Sequence, residues 1–319
     1  MVKRRAKVFA IFISVVILLM LVVYADPVKF ASIVAGSNYK LLFVAFVISS
    51  ISIFLRIIKW KVLLDGVKLS TIIPVQLLGL TLSNFSPGKI GEPIKAIVLK
   101  SADERPVSST LPSIIWERIL DVLVLVLLAI LGAYSFVHLG GSFYIISVIV
   151  VVLFTALLAV GLLILYRKSF GLFIFRFLRR LPFLNRMSDS FIKTFQNTAI
   201  GKKKIFYSFL LTLAAWVLEG FVIYYAFLSI GVNLSPFVLA SVFALATMIG
   251  VASSLPGGIG STDVVLAIFL ASFGVDKSLA ITGILLSRFL AIWYLNILGG
   301  FSFFYLSKKL NLSMKSIFN

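Results

Sequence analysis

The chain of 319 residues has no cysteine, a single histidine (His138) and only 11 acidic residues. Without cysteine there is no disulfide, no thiol nucleophile and no thiolate metal site. A lone histidine leaves no cluster for zinc or haem. No nucleophile–histidine pair, no lysine-serine phosphate loop and no metal-ligand spacing occurs, so the expectation is a protein that is not an enzyme and carries no cofactor. Charged residues make up only 13% of the chain and hydrophobic ones 61%, which excludes an ordinary soluble domain.

Long apolar runs fill the chain instead. Tyr144 to Tyr166 carries no charge and is long enough to cross about 30 Å of hydrocarbon at 1.5 Å per residue. Because no segment is long enough for a second folded unit, residues 1–319 read as one membrane domain. The net charge of +19 raises a nucleic-acid role, but the basic residues collect at the edges of apolar runs and no recognition fold accompanies them. They lie at Lys3, Arg4, Arg5 and Lys7, at Arg56, Lys59 and Lys61, and then as ten residues from Arg167 to Lys204 against one acid, Asp189. That is the pattern of cytoplasmic positive charge, with attraction to anionic lipid added. The expected place is the cell membrane, multi-pass, with the N-terminus and the 167–204 segment in the cytoplasm.

The run from Val8 to Tyr24 is longer than a usual signal core and reads as a retained helix rather than a cleaved signal peptide. A second helix, about Lys40 to Ile58, returns to the basic side. In Thr71 to Lys100 the apolar arms Ile72–Leu82 and Ile94–Leu99 are each too short to cross. They are separated by Pro87-Gly88-Lys89-Ile90-Gly91. The segment is either a broken helix crossing once or a re-entrant hairpin. A single crossing would export the ten basic residues of 167–204, so the hairpin is preferred. Leu111–Val137 and Tyr144–Tyr166 then cross out and back. Apolar residues at helical spacing from Phe170 to Leu181 suit an amphipathic interfacial linker, about 167–204, with a soluble packed helix as the alternative.

Beyond Lys204 the pattern returns. Pro256-Gly257-Gly258-Ile259-Gly260 repeats the first turn, and Gly231-Val232-Asn233-Leu234-Ser235 repeats Gly66-Val67-Lys68-Leu69-Ser70. One arginine follows each turn inside an apolar run, Arg118 and Arg288. Self-similarity in this order indicates duplication. Repeat one (about 40–137) would open its hairpin from the cytoplasm and repeat two (about 205–306) from the other side. The expected fold is therefore all-α: a polytopic membrane helical bundle of two inverted repeats, each with a re-entrant Pro-Gly broken-helix hairpin. Paired interruptions of this kind mark transport sites.

The glycines Gly88, Gly91, Gly257, Gly258 and Gly260, with Pro87 and Pro256, would form the hairpin tips and gate. Glu92 and Asp263 stand at the starts of the second half-helices, as plain caps or as gate and proton-coupling residues. Arg288 is expected about 15 Å deep and Arg118 about 9 Å. A guanidinium there marks a pathway or an ion pair. Glu117 and Asp121 flank Arg118 on one helix, so the two arginines either fix helix packing or hold a substrate phosphate. Glu219 lacks a basic partner on its own helix and would pair across the bundle or bind a proton. Lys89 stands where the second turn has Gly258. Ser83 and Asn84 read as local caps. Trp60, Trp116, Trp216 and Trp293 read as interface or packing aromatics.

Across Ser86-Pro-Gly-Lys-Ile-Gly-Glu92, Glu117-Arg118-Ile119-Leu120-Asp121 and Leu255-Pro-Gly-Gly-Ile-Gly260 the chain resembles the lysylphosphatidylglycerol synthase transmembrane-region family of flippase-like membrane proteins. The resemblance spans roughly residues 10–310. In multiple peptide resistance factors this domain precedes a soluble aminoacyl-transfer domain and is taken to move the product lipid between leaflets. No such domain follows here, so the resemblance implies the flippase-like part alone. It implies membrane lipids as partners, anionic or phosphate-bearing, and no nucleic acid. Stand-alone relatives occur beside lipid and glycan enzymes, which adds polyprenyl-linked sugars to the candidate cargoes and such an enzyme to the candidate partners. The rival readings are a secondary transporter of a small anion and a non-transporting membrane subunit of a glycosyltransferase or lipid synthase.

Overall fold

The computed structural model describes residues 26–86, 91–137, 141–166, 200–253, 255–258 and 260–310, with Val23, 194–195 and 197–198. Among the described residues all regular structure is helical. The helices are α1 (Pro27–Ala35), α2 (Tyr39–Leu63), α3 (Leu69–Asn84), α4 (Ile94–Asp103), α5 (Val107–Val137) and α6 (Gly141–Tyr166). After the linker come α7 (Lys202–Ser229), α8 (Pro236–Ala252), α9 (Ser261–Ser272), α10 (Lys277–Arg288) and α11 (Tyr294–Leu310). The first apolar run, most of the 167–204 linker and the tip residues Pro87, Gly88, Lys89 and Ile90 lie outside the described residues.

Among the described residues, four helical stretches are long and apolar enough to cross a membrane: Tyr39–Leu63, Tyr144–Leu163, Lys202–Ser229 and Lys277–Leu310. The outside of the bundle is greasy, with Phe43, Phe54, Ile149, Val152, Phe301 and Phe304 exposed. Buried polar and charged side chains gather inside. This is an integral, multi-pass membrane protein, sorted as lipid requires.

The expected short arms are present as α3 and α4, and as α8 and α9, and within each pair the two helices pack on each other. A Cβ on Gly79 of α3 would sit 2.1 Å from Lys95 Cγ of α4, and one on Gly91 would sit 2.6 Å from Leu82 O. Contacts running backwards along one arm as they run forwards along the other make α3 and α4 antiparallel neighbours. Glycine is needed at 91 because any side chain there would strike that carbonyl. The second turn uses Gly257, Gly258 and Gly260 at φ of 63°, 65° and 89°, a region closed to most side chains.

The two first arms are placed reciprocally. Helix α3 packs on α11, while α8 packs on α5, and α2 and α7 lie against each other between them. Gly66 and Gly231, which open the duplicated Gly-Val-x-Leu-Ser segments, take matching left-handed turns at φ of 77° and 82°. The Pro256–Gly258 turn itself touches α3. Small residues permit the close crossings, as lipid-embedded helices need. One apolar core joins α5, α7, α8 and α9 around Trp216, Phe227, Leu245 and Phe269. A second joins α2, α3 and α11 around Trp60, Ile72, Val75 and Leu306.

Two details depart from the sequence expectation. The second helix runs on to Leu63, past the basic cluster, because Lys59 finds two carboxylates inside the bundle and does not end at an aqueous edge. The last long helix is interrupted by a π-helical turn at Phe289–Trp293, directly after Arg288. Such a turn misaligns the backbone ladder and recurs at functional sites.

Candidate functional site

Among the described residues, ten charged side chains occupy the bundle interior: Arg56, Lys59, Lys95, Arg118 and Arg288 against Glu92, Glu117, Asp121, Glu219 and Asp263. Five positive and five negative formal charges sum to zero. A buried ion survives only when paired and hydrogen-bonded, and the balance is what lets so many remain in a membrane interior.

One part of the set is a dense knot where α2, α3, α4 and α5 meet. Lys95 Nζ donates to Glu117 Oε2 at 2.5 Å and to Gln76 Oε1 at 3.0 Å. Gln76 Nε2 donates to Glu117 Oε1 at 2.8 Å. Lys59 Nζ donates to Asp121 Oδ1 at 2.9 Å and lies 3.5 Å from Glu117 Oε1. Trp216 Nε1 donates to the same Asp121 oxygen at 3.1 Å. The ammonium of Lys95 also stands 4.7 Å from the centre of the Trp60 ring, a contact that gains strength when desolvated. Glu117 and Lys95 have no measurable exposure. The knot holds the second arm of the first hairpin to α5.

The other part faces a cavity of about 90 Å³. Its wall draws on the short arms beside both turns and on four long helices: Asn84, Glu92, Arg118, Gly257, Gly258, Thr262 and Arg288 line it together with Arg56, Trp216, Glu219 and Thr247. Arg56 donates from Nη2 to Glu219 Oε2 at 2.9 Å and lies over the Trp216 ring at 4.8 Å. Ser52 supports the same Glu219 oxygen at 3.2 Å. Arg118 donates from Nη2 to Asp121 Oδ2 at 2.5 Å, and its Nε lies 2.8 Å from Glu92 Oε2 without the alignment of a hydrogen bond. Arg288 donates from Nε to Asp263 Oδ1 at 2.6 Å, while Asp263 Oδ2 accepts from Gly260 N–H at 2.9 Å. Asp263 is thus both a helix cap and the anchor of Arg288.

Three buried groups in this wall lack a hydrogen-bond partner: both oxygens of Glu92, Nε of Arg118 and Nη2 of Arg288. Orphaned charged atoms at a cavity surface are costly and are what a polar ligand would satisfy.

The structure brings Glu92, Arg118, Glu219 and Arg288 to one cavity, with Asp121 and Asp263 directly behind them. Glu117 instead sits in the knot, away from the cavity wall. Gly257 and Gly258 line the cavity; Gly91 and Gly260 shape the turns beside it. Pro256 starts the second turn. Lys89, Pro87 and Gly88 fall outside the described residues. Sequence reasoning missed Arg56, Lys59, Lys95 and Gln76. Gln76 carried a signal, being a lone amide in the apolar run Ile72–Leu82. One further reading is corrected, and one is sharpened. Trp60 and Trp216, expected as interface or packing aromatics, are buried packing residues whose ring N–H groups also donate to Ser113 and Asp121. Asn84, expected as a local cap, donates across to Asn296 Oδ1 at 3.1 Å, since its helix end lies against α11.

The sequence pattern described as the lysylphosphatidylglycerol synthase TM region matches residues 9–299. The chain belongs to this family. It is similar to the UPF0104 membrane protein PH1989 of Pyrococcus horikoshii, at 26% identity covering 92% of this chain and 95% of that one. A UPF0104 membrane protein of Methanothermobacter thermautotrophicus is 25% identical, covering 91% and 92%. Phosphatidylglycerol lysyltransferase of Staphylococcus epidermidis is 28% identical over 83 residues, which are 26% of this chain and 10% of that protein.

Proposed function

We propose that this family member is a lipid translocase of two inverted repeats that passes a phosphate-bearing headgroup between leaflets, without catalysis, while the acyl chains stay in lipid. The observation that carries the reading is the convergence of three guanidinium groups, Arg56, Arg118 and Arg288, on one cavity lined also by Asn84 and Glu92 on either side of the first turn and by Gly257 and Gly258 of the second. Guanidinium is the planar donor suited to phosphate oxygens. The reciprocal packing of α3 on α11 and α8 on α5 supports the inverted repeat. A volume of about 90 Å³ suits a phosphate group and excludes a whole lipid, so the chains would have to remain outside. Phospholipid and polyprenyl-phosphate-linked cargo share this chemistry. The reading places the basic side in the cytoplasm of a cell-membrane protein and allows a lipid or glycan enzyme as a partner.

Purified protein in liposomes, with a labelled anionic phospholipid reduced from outside, tests this directly. Wild type should equilibrate the label between leaflets, and Arg118→Ala with Arg288→Ala should abolish that movement. A small-anion transporter would pass radiolabelled phosphate and leave the lipid label where it was. A scaffold subunit would do neither.

A further inference from the structure

The five buried carboxylates are not equivalent. Glu117 is held by Lys95 and Gln76, and Asp121 by Lys59, Trp216 and Arg118. Glu219 is held by Arg56 and Ser52, and Asp263 by Arg288 and the Gly260 N–H. Glu92 alone accepts no hydrogen bond at either oxygen, although it is only 1% exposed and lines the cavity. Its counter-charge is Arg118 Nε at 2.8 Å, with Lys95 Nζ more distant at 3.9 Å and already committed to Glu117.

Arg118 is the group that a phosphate would take. Its side chain is 33% exposed, against 9% for Arg288 and 13% for Arg56. Among the described residues the ten interior charges sum to zero, so a phosphodiester entering at Arg118 adds one negative charge that they do not compensate. It also strips Glu92 of its nearest cation. A buried carboxylate without a cation becomes neutral by binding a proton. Resting on the phosphate-site reading above, we propose that Glu92 is a proton-binding site, and that a phosphate group and one proton occupy the cavity together. The proton passes from water to a Glu92 carboxylate oxygen as the phosphate oxygen replaces that carboxylate at Arg118 Nε. The charge change of the loaded cavity is then zero, −1 from the phosphodiester and +1 from the proton.

Every charged group described around Glu92 is spoken for in this scheme. Lys95 on α4 and Lys59 on α2 stay with Glu117 and Asp121 on α5; Arg56 on α2 stays with Glu219 on α7; Arg288 on α10 stays with Asp263 on α9. Only the Arg118–Glu92 pair opens.

The test is calorimetric titration of the full-length protein in neutral detergent, in two buffers of different ionisation enthalpy, which counts protons per ligand. Dihexanoyl phosphatidylglycerol is the lipid probe and inorganic phosphate the soluble one. Wild type should take up about one proton per phosphatidylglycerol bound. Glu92→Gln should bind the same lipid with no proton uptake, while Glu219→Gln keeps the uptake. Binding by wild type without proton uptake, or equal uptake by Glu92→Gln, overturns the proton site and leaves the phosphate site standing. Failure of both probes to bind removes the phosphate site and the proton site with it. Uptake with inorganic phosphate that Glu92→Gln abolishes, without uptake with the lipid, keeps the proton site and moves the cargo to a free anion. If Glu92→Gln does not fold, absence of uptake by wild type still overturns the proton site.

Discussion

Lys95 Nζ of α4 stands 2.5 Å from Glu117 Oε2 of α5, and neither residue reaches solvent or lipid. The pair fastens the far arm of the first hairpin to a helix that also carries Arg118, a cavity residue. A change in the knot therefore reaches the cavity through one turn of helix.

Removing one partner of this pair should be far worse than removing both. Lys95→Ala leaves Glu117 with Lys59 at 3.5 Å and the Gln76 amide, an under-compensated buried charge. The expected loss is about 3–5 kcal/mol, whereas Lys95→Met with Glu117→Leu should recover most of it by filling the space with apolar atoms. Denaturant titration in micelles, followed by tryptophan fluorescence, measures both. A double variant no more stable than the single would show that the charges themselves hold the fold.

Arg288→Lys should keep the fold and slow lipid movement. Lysine retains the charge beside Asp263 but cannot present the second nitrogen, Nη2, that lacks a partner at the cavity. A drop of about tenfold in lipid movement corresponds to about 1.4 kcal/mol, a reasonable share for one charge-assisted contact. The thermal midpoint should stay within a few degrees of wild type. Unchanged transport would place Arg288 among structural residues.

Much of this arrangement was readable from the chain. The doubled Pro-Gly turn located both broken helices, Arg118, Arg288 and Glu219 stand out as intrusions into apolar runs, and Glu92 as the start of a second half-helix. What escaped was the destination of the cations near helix ends. Arg56 and Lys59 follow an apolar stretch just as a cytoplasmic anchor would, and only the acids on α5 and α7 reveal that they point inward. Those acids lie dozens of residues away in sequence, and helical periodicity carries no information on which neighbour a helix will meet. Lys95 was hidden in the same way, since its stem lies over Gly79 on a helix brought alongside only by the turn.

The relative direction of the two hairpins can be read with single cysteines, because the natural chain has none. Phe85 and Ser253 end the first arms beside the two turns, and both are exposed. In an inverted repeat, Phe85→Cys should react with an impermeant maleimide from the basic side and Ser253→Cys from the opposite side. Labelling of both from one side would leave the duplication intact and remove the inversion.

Neighbouring glycines in α11 should respond in opposite senses. A Cβ at Gly299 would lie 1.9 Å from Thr81 Oγ1 and 2.6 Å from Thr81 Cβ, so this residue sets how closely α11 approaches α3. At Gly300 nothing lies within 4 Å of the added atom. Gly299→Ala must push the two helices apart, at a cost of about 1–3 kcal/mol. Gly300→Ala meets only open space and gains helix propensity, up to about 1 kcal/mol. Because α3 and α11 both contribute to the cavity through Asn84 and Leu295, the first substitution should also slow lipid movement, and the second should leave it unchanged. Denaturant midpoints and transport rates for the two variants separate these outcomes. Equal effects at both positions would mean that α11 does not pack on α3 through Gly299.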